Sequence, residues 1–141
     1  MGKIQVVLDT NVLVAAFRSK RGAANHLLMN LDDEQFKIAI SNPLLFEYEE
    51  VLKRPEMSEF ISHEDVDRAI ENIQLIAQEY EIFFLWRLLA ADPDDAFILE
   101  LAVRSNAKYI ITYNSKDFAS AADFDITLIT PRGFLELIEK K

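Results

Sequence analysis

Short apolar runs recur along the chain and predict five β-strands. Each run is rich in Ile, Val, Phe or Leu and has the length of a strand. Several runs are continuous rather than alternating, which is typical of parallel strands covered on both faces. The predicted strands are residues 4–8, 37–40, 82–85, 108–112 and 126–129.

Between these runs, apolar residues recur with the period of an α-helix. Ser41 and Ser62 precede two of these segments and are good N-cap types, and Pro43 suits a first helical turn. The predicted helices are residues 43–54, 62 to about 80, 92–105 and 131–140. Strands that alternate with helices predict an α/β domain with a mainly parallel sheet.

Length and composition bound the class of protein. The chain has 141 residues, half of them hydrophobic, which indicates one domain over residues 1–141 with a substantial core. There is no Cys, which excludes disulfides, thiolate nucleophiles and Cys-ligated zinc. The longest apolar run, residues 12–17, is too short to span a bilayer, and Asp9 interrupts any apolar leader. We therefore expect a soluble, cytoplasmic protein without a membrane partner.

Acidic residues follow the ends of the predicted strands. Asp9 directly follows the first strand, and Glu47 lies in the first turns of the helix after the second. Asp92 and Asp95 lie at the start of the helix after the third strand, and Asp117 lies shortly after the fourth. In a parallel sheet all these positions lie at the carboxyl edge, where α/β proteins place ligands. We therefore expect these carboxylates to converge.

Converging carboxylates repel one another unless a cation joins them. Mg²⁺ and Mn²⁺ prefer oxygen ligands. One or two such ions, about 3.5–4 Å apart if paired, activate water and stabilise in-line attack on phosphorus. The pattern therefore favours a site for Mg²⁺ or Mn²⁺ in which an acidic pocket can accept a phosphate group.

Each acid also has a structural interpretation. Asp9 suits a loop and helix cap, Glu47 a solvated helix face, and Asp117 a turn. Asp92, followed by proline and two more aspartates, makes a good helix N-terminus. The functional interpretation depends on four separate elements each placing an acid at the same sheet edge.

Four motifs in this order resemble those of the PIN-domain nucleases over nearly the whole chain. They are LDTNVL, SNPLLFEYEEVL, DPDDAFILELA and IITYNSKDF. The likeness extends especially to the compact PIN-family toxins of prokaryotic toxin–antitoxin systems, which are related to VapC-type ribonucleases. The ordered set at this spacing is quite specific.

The resemblance implies a role for individual residues. It assigns metal binding and catalysis to Asp9, Glu47, Asp95 and Asp117, with Asp92 as an accessory acid. The residues that it implies for positioning substrate or water are Asn11, Thr112 and Asn114.

The resemblance also implies a fold and partners. The expected fold is a three-layer α/β/α sandwich with a parallel sheet in the order 3-2-1-4-5. The expected activity is Mg²⁺- or Mn²⁺-dependent hydrolysis of single-stranded or structured RNA. Members of the family often dimerise, and the toxins among them are blocked by an antitoxin. Residues 55–86 depart from the simplest toxins because they hold a long helix and a strand, which leaves the antitoxin surface open.

Charge alone argues against a polyanionic partner, since the net charge is −9. RNA binding would then depend on local basic residues near the motifs, and solvated loop charges are the alternative interpretation. The candidates for RNA contact are Arg18, Lys20, Arg21 and Lys116. We interpret His26 and His63 as structural, because neither has a partner at ligand spacing.

Other enzyme classes fit less well. The glycines do not form a dinucleotide or P-loop pattern, and no Gly-x-Ser-x-Gly elbow exists. Asn11 stands where a haloacid dehalogenase-like phosphatase has its second acid. The remaining alternative is a catalytically weak PIN-like module that binds RNA or protein.

Overall fold

The computed structural model describes residues 3–83 and 93–139, with the side chains of residues 93–95 excepted. The strands are β1 (Ile4–Leu8), β2 (Phe36–Ile40), β3 (Gln78–Glu79), β4 (Tyr109–Ile111) and β5 (Thr127–Ile129). The helices are α1 (Thr10–Arg18), α2 (Ala23–Met29), α3 (Asn42–Leu52), α4 (His63–Ile76), α5 (Pro93–Arg104) and α6 (Pro131–Glu139). Within these described ranges there are also two 3₁₀ segments, Pro55–Met57 and Ser115–Phe124.

The five strands form one parallel sheet in the order β3-β2-β1-β4-β5, flanked by helices. This confirms the predicted α/β/α architecture. β1 is central, and Val6 pairs with Ile38 on one side and with Tyr109 on the other. The side chains of Val6 and Val7 are fully buried, which explains why the first apolar run is continuous rather than alternating.

Helix α6 closes the core beneath β1, β2 and β4. The Phe134 ring meets Phe36 edge-on at 5.0 Å and Tyr109 at 5.9 Å between ring centroids. Edge-to-face contacts of this kind add to the free energy gained by burying the rings. Among the described residues, no helix is both long enough and apolar enough to cross a membrane.

The third strand lies earlier than the apolar pattern predicts. The predicted helix runs to about residue 80, but α4 ends at Ile76 and Ala77 turns extended. Strand β3 follows at once, and Tyr80 N–H donates to Ile40 O at 2.8 Å. The predicted strand 82–85 is therefore wrong at residues 82 and 83, and residues 84 and 85 lie outside the described ranges. The apolar signal fails here because β3 is an edge strand whose two side chains are exposed.

Candidate active site

The junction between β1 and α1 places a buried carboxylate at the carboxyl edge of the central strand. Asp9 is the residue before α1, yet its side chain does not cap the helix. Its Oδ2 instead accepts a hydrogen bond from Thr112 Oγ1 at 2.7 Å. The capping interpretation therefore does not explain this carboxylate.

Thr112 follows β4, the strand next to β1. Asp9 N–H donates to Ile111 O at 3.0 Å, and Thr112 N–H donates to Ile129 O at 2.9 Å. These bonds align Asp9 and Thr112 at the ends of adjacent strands. The order of strands reverses here, and this is where open α/β sheets place their ligands.

The Thr112 hydroxyl is the centre of a hydrogen-bond network. It donates to Asp9, and it accepts from Asn114 N–H at 2.9 Å and from Asn11 Nδ2 at 3.4 Å. Asn11 Oδ1 accepts in turn from Tyr113 N–H at 3.4 Å. One hydroxyl offers one proton and two lone pairs, so these three contacts use its full capacity. The three residues predicted to position substrate or water thus form one network on Asp9.

Helix α3 brings the second acid to the same junction. Ser41 caps the helix by accepting from Leu44 N–H at 3.3 Å, which fixes where α3 begins. Glu47, half-buried in the second turn, accepts a hydrogen bond from the Thr10 hydroxyl. The next residue, Tyr48, donates its hydroxyl to Leu8 O at 2.6 Å. Helix α3 is therefore bonded to the residues on both sides of Asp9.

Asp117 lies in the 3₁₀ segment after β4. Its N–H donates to Asn114 O at 3.1 Å, which continues the turn begun at Thr112. The next side chain, Phe118, is buried at a kink in the segment and anchors it to the core. Asp117 itself is half-buried, and its charge reaches Asp9.

Electrostatic interactions connect Asp9 with Asp117, and Tyr48 with Asp9 and Glu47. Burial raises the pKa of Asp9, hydrogen bonds from Thr112 and from Thr10 N–H lower it, and the negative charge of Asp117 raises it again. Burial also raises the pKa of Tyr48 well above its ordinary value, and the charges of Asp9 and Glu47 add to this rise. Tyr48 therefore stays neutral beside the two carboxylates.

Two predicted acids are not placed by the structure. Asp92 lies outside the described residues, and Asp95 belongs to α5 with a side chain that also lies outside them. Across residues 3–83 and 93–139, side chains of 93–95 aside, no three His, Cys, Asp or Glu residues form a group able to hold a metal. The positions of Asp92 and Asp95 at the site remain predictions.

The four basic residues predicted to contact RNA lie in different surroundings. Arg18 lies over the Phe60 ring, 5.3 Å from its centroid. Lys20 lines a groove with Phe60, whereas Arg21 lines another groove with Arg132 of α6. Lys116 is exposed, next to Asp117. Their contact with RNA remains a prediction.

Two residues of the network were missed by the sequence reasoning, Thr10 and Tyr48. Thr10 lies inside the first motif, and its hydroxyl is the only feature of the sequence that indicates a hydrogen-bonding role. Tyr48 follows Glu47 and belongs to the apolar stripe of α3, and its partner Leu8 is 40 residues away in the chain. Helical periodicity explains the burial of Tyr48 but does not reveal the partner of its hydroxyl.

Comparisons with known proteins complete this description. Residues 5–116 match the family model described as PIN domain. A chain in the crystal structure of VapBC2 from Rickettsia felis, bound to a DNA fragment from their promoter, matches with a TM-score of 0.62 and 18% identity. That match covers 90% of this chain and 98% of the other.

A second match is a chain in the 2.2 Å structure of VapBC-1 from nontypeable Haemophilus influenzae. It has a TM-score of 0.62 and 17% identity, and it covers 92% of this chain and 99% of the other. A comparison with curated proteins found no match for this sequence. At these identities the two structural matches show a shared fold and nothing more.

Proposed function

This chain belongs to the PIN domain family, and from that premise we propose that it is a Mg²⁺- or Mn²⁺-dependent endoribonuclease. One observation carries the proposal: Asp9 is a buried carboxylate at the end of the central strand, with the charge of Asp117 beside it. Burial and a neighbouring like charge both oppose ionisation. A divalent cation would offset both effects.

The donor set suits a hard cation. Asp9, Glu47 and Asp117 offer carboxylate oxygens, and the sequence has no Cys. Mg²⁺ keeps several of its waters and is usually held by one or two carboxylates together with substrate phosphate. Asp9 would hold the ion, and Glu47 and Asp117 would act directly or through water. Asp92 and Asp95 are proposed to complete the set from the start of α5.

When bound, the ion lowers the pKa of water and neutralises charge that develops on the phosphate. The chain's own groups do the positioning. Thr112 holds Asp9 Oδ2 in one orientation, and the Thr10 hydroxyl holds the Glu47 carboxylate. Asn11 and the backbone around Asn114 would orient water or a phosphate oxygen by hydrogen bonds.

We further propose that the protein is the toxin of a toxin–antitoxin pair, that it acts in the cytoplasm and that it dimerises. The fold shared with chains of two VapBC structures supports the toxin role. Expression of the unmutated protein, called the parent below, should arrest the growth of a bacterial host. Expression of Asp9→Asn should not. An antitoxin encoded nearby should bind the purified protein and restore growth. Growth that is unaffected by the parent would contradict the toxin role.

The activity test uses purified protein and labelled single-stranded RNAs, with Mn²⁺ or Mg²⁺ present. Cleavage should occur with the parent and disappear with EDTA and with Asp9→Asn. Asp32→Asn is the matched control, because it removes an equal charge from an exposed loop residue. Mn²⁺ should also raise the melting temperature of the parent but not of Asp9→Asn. No cleavage together with no effect of Mn²⁺ would favour the alternative, a PIN-like module that binds RNA or protein.

A further inference from the structure

An exposed aromatic ring adjoins the acid network. Tyr113 directly follows Thr112, and half of its surface (50%) is exposed. Its backbone is held in place, since Tyr113 N–H donates to Asn11 Oδ1. Exposed aromatic side chains are common, and it is the position of Tyr113 directly after Thr112, beside the Asp9 network, that makes its ring a candidate for ligand contact.

A small groove lies beside this ring at the carboxyl ends of β4 and β5. Its volume is about 210 Å³, and its lining residues are Thr112, Tyr113, Ser115, Leu128, Ile129 and Thr130. Leu128 and Ile129 supply apolar surface, and Ser115 and Thr130 supply hydroxyls. Pockets for drug-sized ligands measure roughly 300–1,000 Å³, so this groove suits a single flat ring with polar edges.

The chemistry around the ring suits a nucleotide. A tyrosine ring is neutral at physiological pH, since its ordinary pKa is about 10, and it therefore does not repel phosphate. Lys116 is exposed three residues further along the chain. An aromatic platform next to a cation is how proteins bind single-stranded nucleic acid, because each base has a π-face and each phosphate a charge.

We propose that Tyr113 and the adjoining groove form a nucleobase subsite, in which the Tyr113 ring stacks on an unpaired RNA base next to the scissile phosphate. The inference rests on the proposed ribonuclease function and adds to it a contact between Tyr113 and one unpaired base. Bases inside a duplex are already stacked on one another, so a protein ring cannot reach their faces. Stacking tolerates any base, and the hydroxyls of Ser115 and Thr130 would add a preference for particular bases through hydrogen bonds.

The test measures kcat and KM on a single-stranded RNA with one mapped cleavage site. A substrate series replaces one nucleotide at a time near that site with an abasic ribose. For the parent, one abasic position should raise KM roughly 5- to 150-fold, the loss expected for one stacked base. Tyr113→Leu should raise KM on intact RNA by a similar factor and should no longer respond to that abasic position. Tyr113→Phe, which keeps the ring, should restore the parent behaviour.

Phe83→Leu is the matched control. Phe83 is 55% exposed, and its ring packs under the Arg104 guanidinium at 4.4 Å, so its loss should leave KM unchanged. Thermal melting should show that all variants are folded. An unchanged KM in Tyr113→Leu, or an abasic response that survives in it, would overturn the subsite while leaving the ribonuclease intact. If the parent cleaves no RNA, the proposed function fails and the subsite fails with it.

Discussion

Replacing Thr112 with valine removes one hydroxyl and keeps the shape of the side chain. Thr112 is 3% exposed, and its hydroxyl donates to the Asp9 carboxylate at 2.7 Å. A hydrogen bond to a charged group contributes roughly 1.5–3 kcal/mol to stability. The added methyl recovers about 0.8 kcal/mol of burial, and Asn114 N–H is in an exposed residue where water can replace its partner. The free energy of unfolding should therefore fall by about 1–2 kcal/mol.

The loss should depend on pH, because the bond stabilises the ionised form of Asp9. The donation from Thr112 lowers the pKa of Asp9, so its contribution is present where Asp9 is ionised. It weakens as pH falls through the pKa of Asp9 in the folded protein, since a hydrogen bond to a neutral acid has roughly half the strength. The destabilisation by Thr112→Val should be largest near pH 7.5 and smaller near pH 4.

The assay is urea unfolding in EDTA at both pH values. Thr112→Ser is the matched control, because it keeps the hydroxyl and loses only a methyl, so its destabilisation should not depend on pH. In the cleavage assay Thr112→Val should lose at least tenfold in kcat, whereas Thr112→Ser should retain most activity. Equal destabilisation by valine at both pH values, or full activity of that variant, would refute the assigned role of this hydroxyl.

Two further predictions concern Asp9 and Tyr48. Burial and Asp117 raise the pKa of Asp9 above its unfolded value. Without metal, the contribution of Asp9 to stability is therefore most favourable when Asp9 is protonated, and it is lost as pH rises through the folded pKa. Asp9→Asn mimics the protonated acid and should therefore make the free energy of unfolding in EDTA depend less on pH. If urea unfolding shows the same pH dependence for the variant as for the unmutated protein, the raised pKa of Asp9 is contradicted. Tyr48→Phe removes the bond to Leu8 O and should cost roughly 1–3 kcal/mol, and it should also raise the Mn²⁺ concentration needed for half-maximal cleavage. A stability loss with no change in the Mn²⁺ requirement would show that Tyr48 serves the core alone.

The sheet was predictable to different degrees in different strands. Apolar runs predicted β1, β2 and β4, because these strands are covered on both faces. No apolar run predicted β3, because it is an edge strand of two exposed polar residues. The strand order came from the resemblance of the motifs and not from the apolar pattern, since periodicity carries no information about which strands are neighbours.

The candidate site was predictable where chemistry depends on residue type. Carboxylates at strand ends indicated Asp9, Glu47 and Asp117. In the structure the charge of Asp117 acts on Asp9, and the charges of Asp9 and Glu47 act on Tyr48. Their joint role in binding a metal remains a prediction. The hydroxyls of Thr10 and Tyr48 could not be assigned in the same way, because a hydroxyl has many structural uses and its partner here is remote in the chain. The contributions of Asp92 and Asp95 remain predictions.

The three consecutive residues Leu8, Asp9 and Thr10 each depend on a partner far along the chain. The partners are 40, 103 and 37 residues away. During synthesis a ribosome exposes the first of these residues long before Thr112, and non-local contacts of this kind form late. A nascent or truncated chain that stops short of β4 therefore holds its main acid without the hydroxyl that orients it. For the ribonuclease proposed above, this delays the completed site until Thr112 and β4 have been made and have folded against β1.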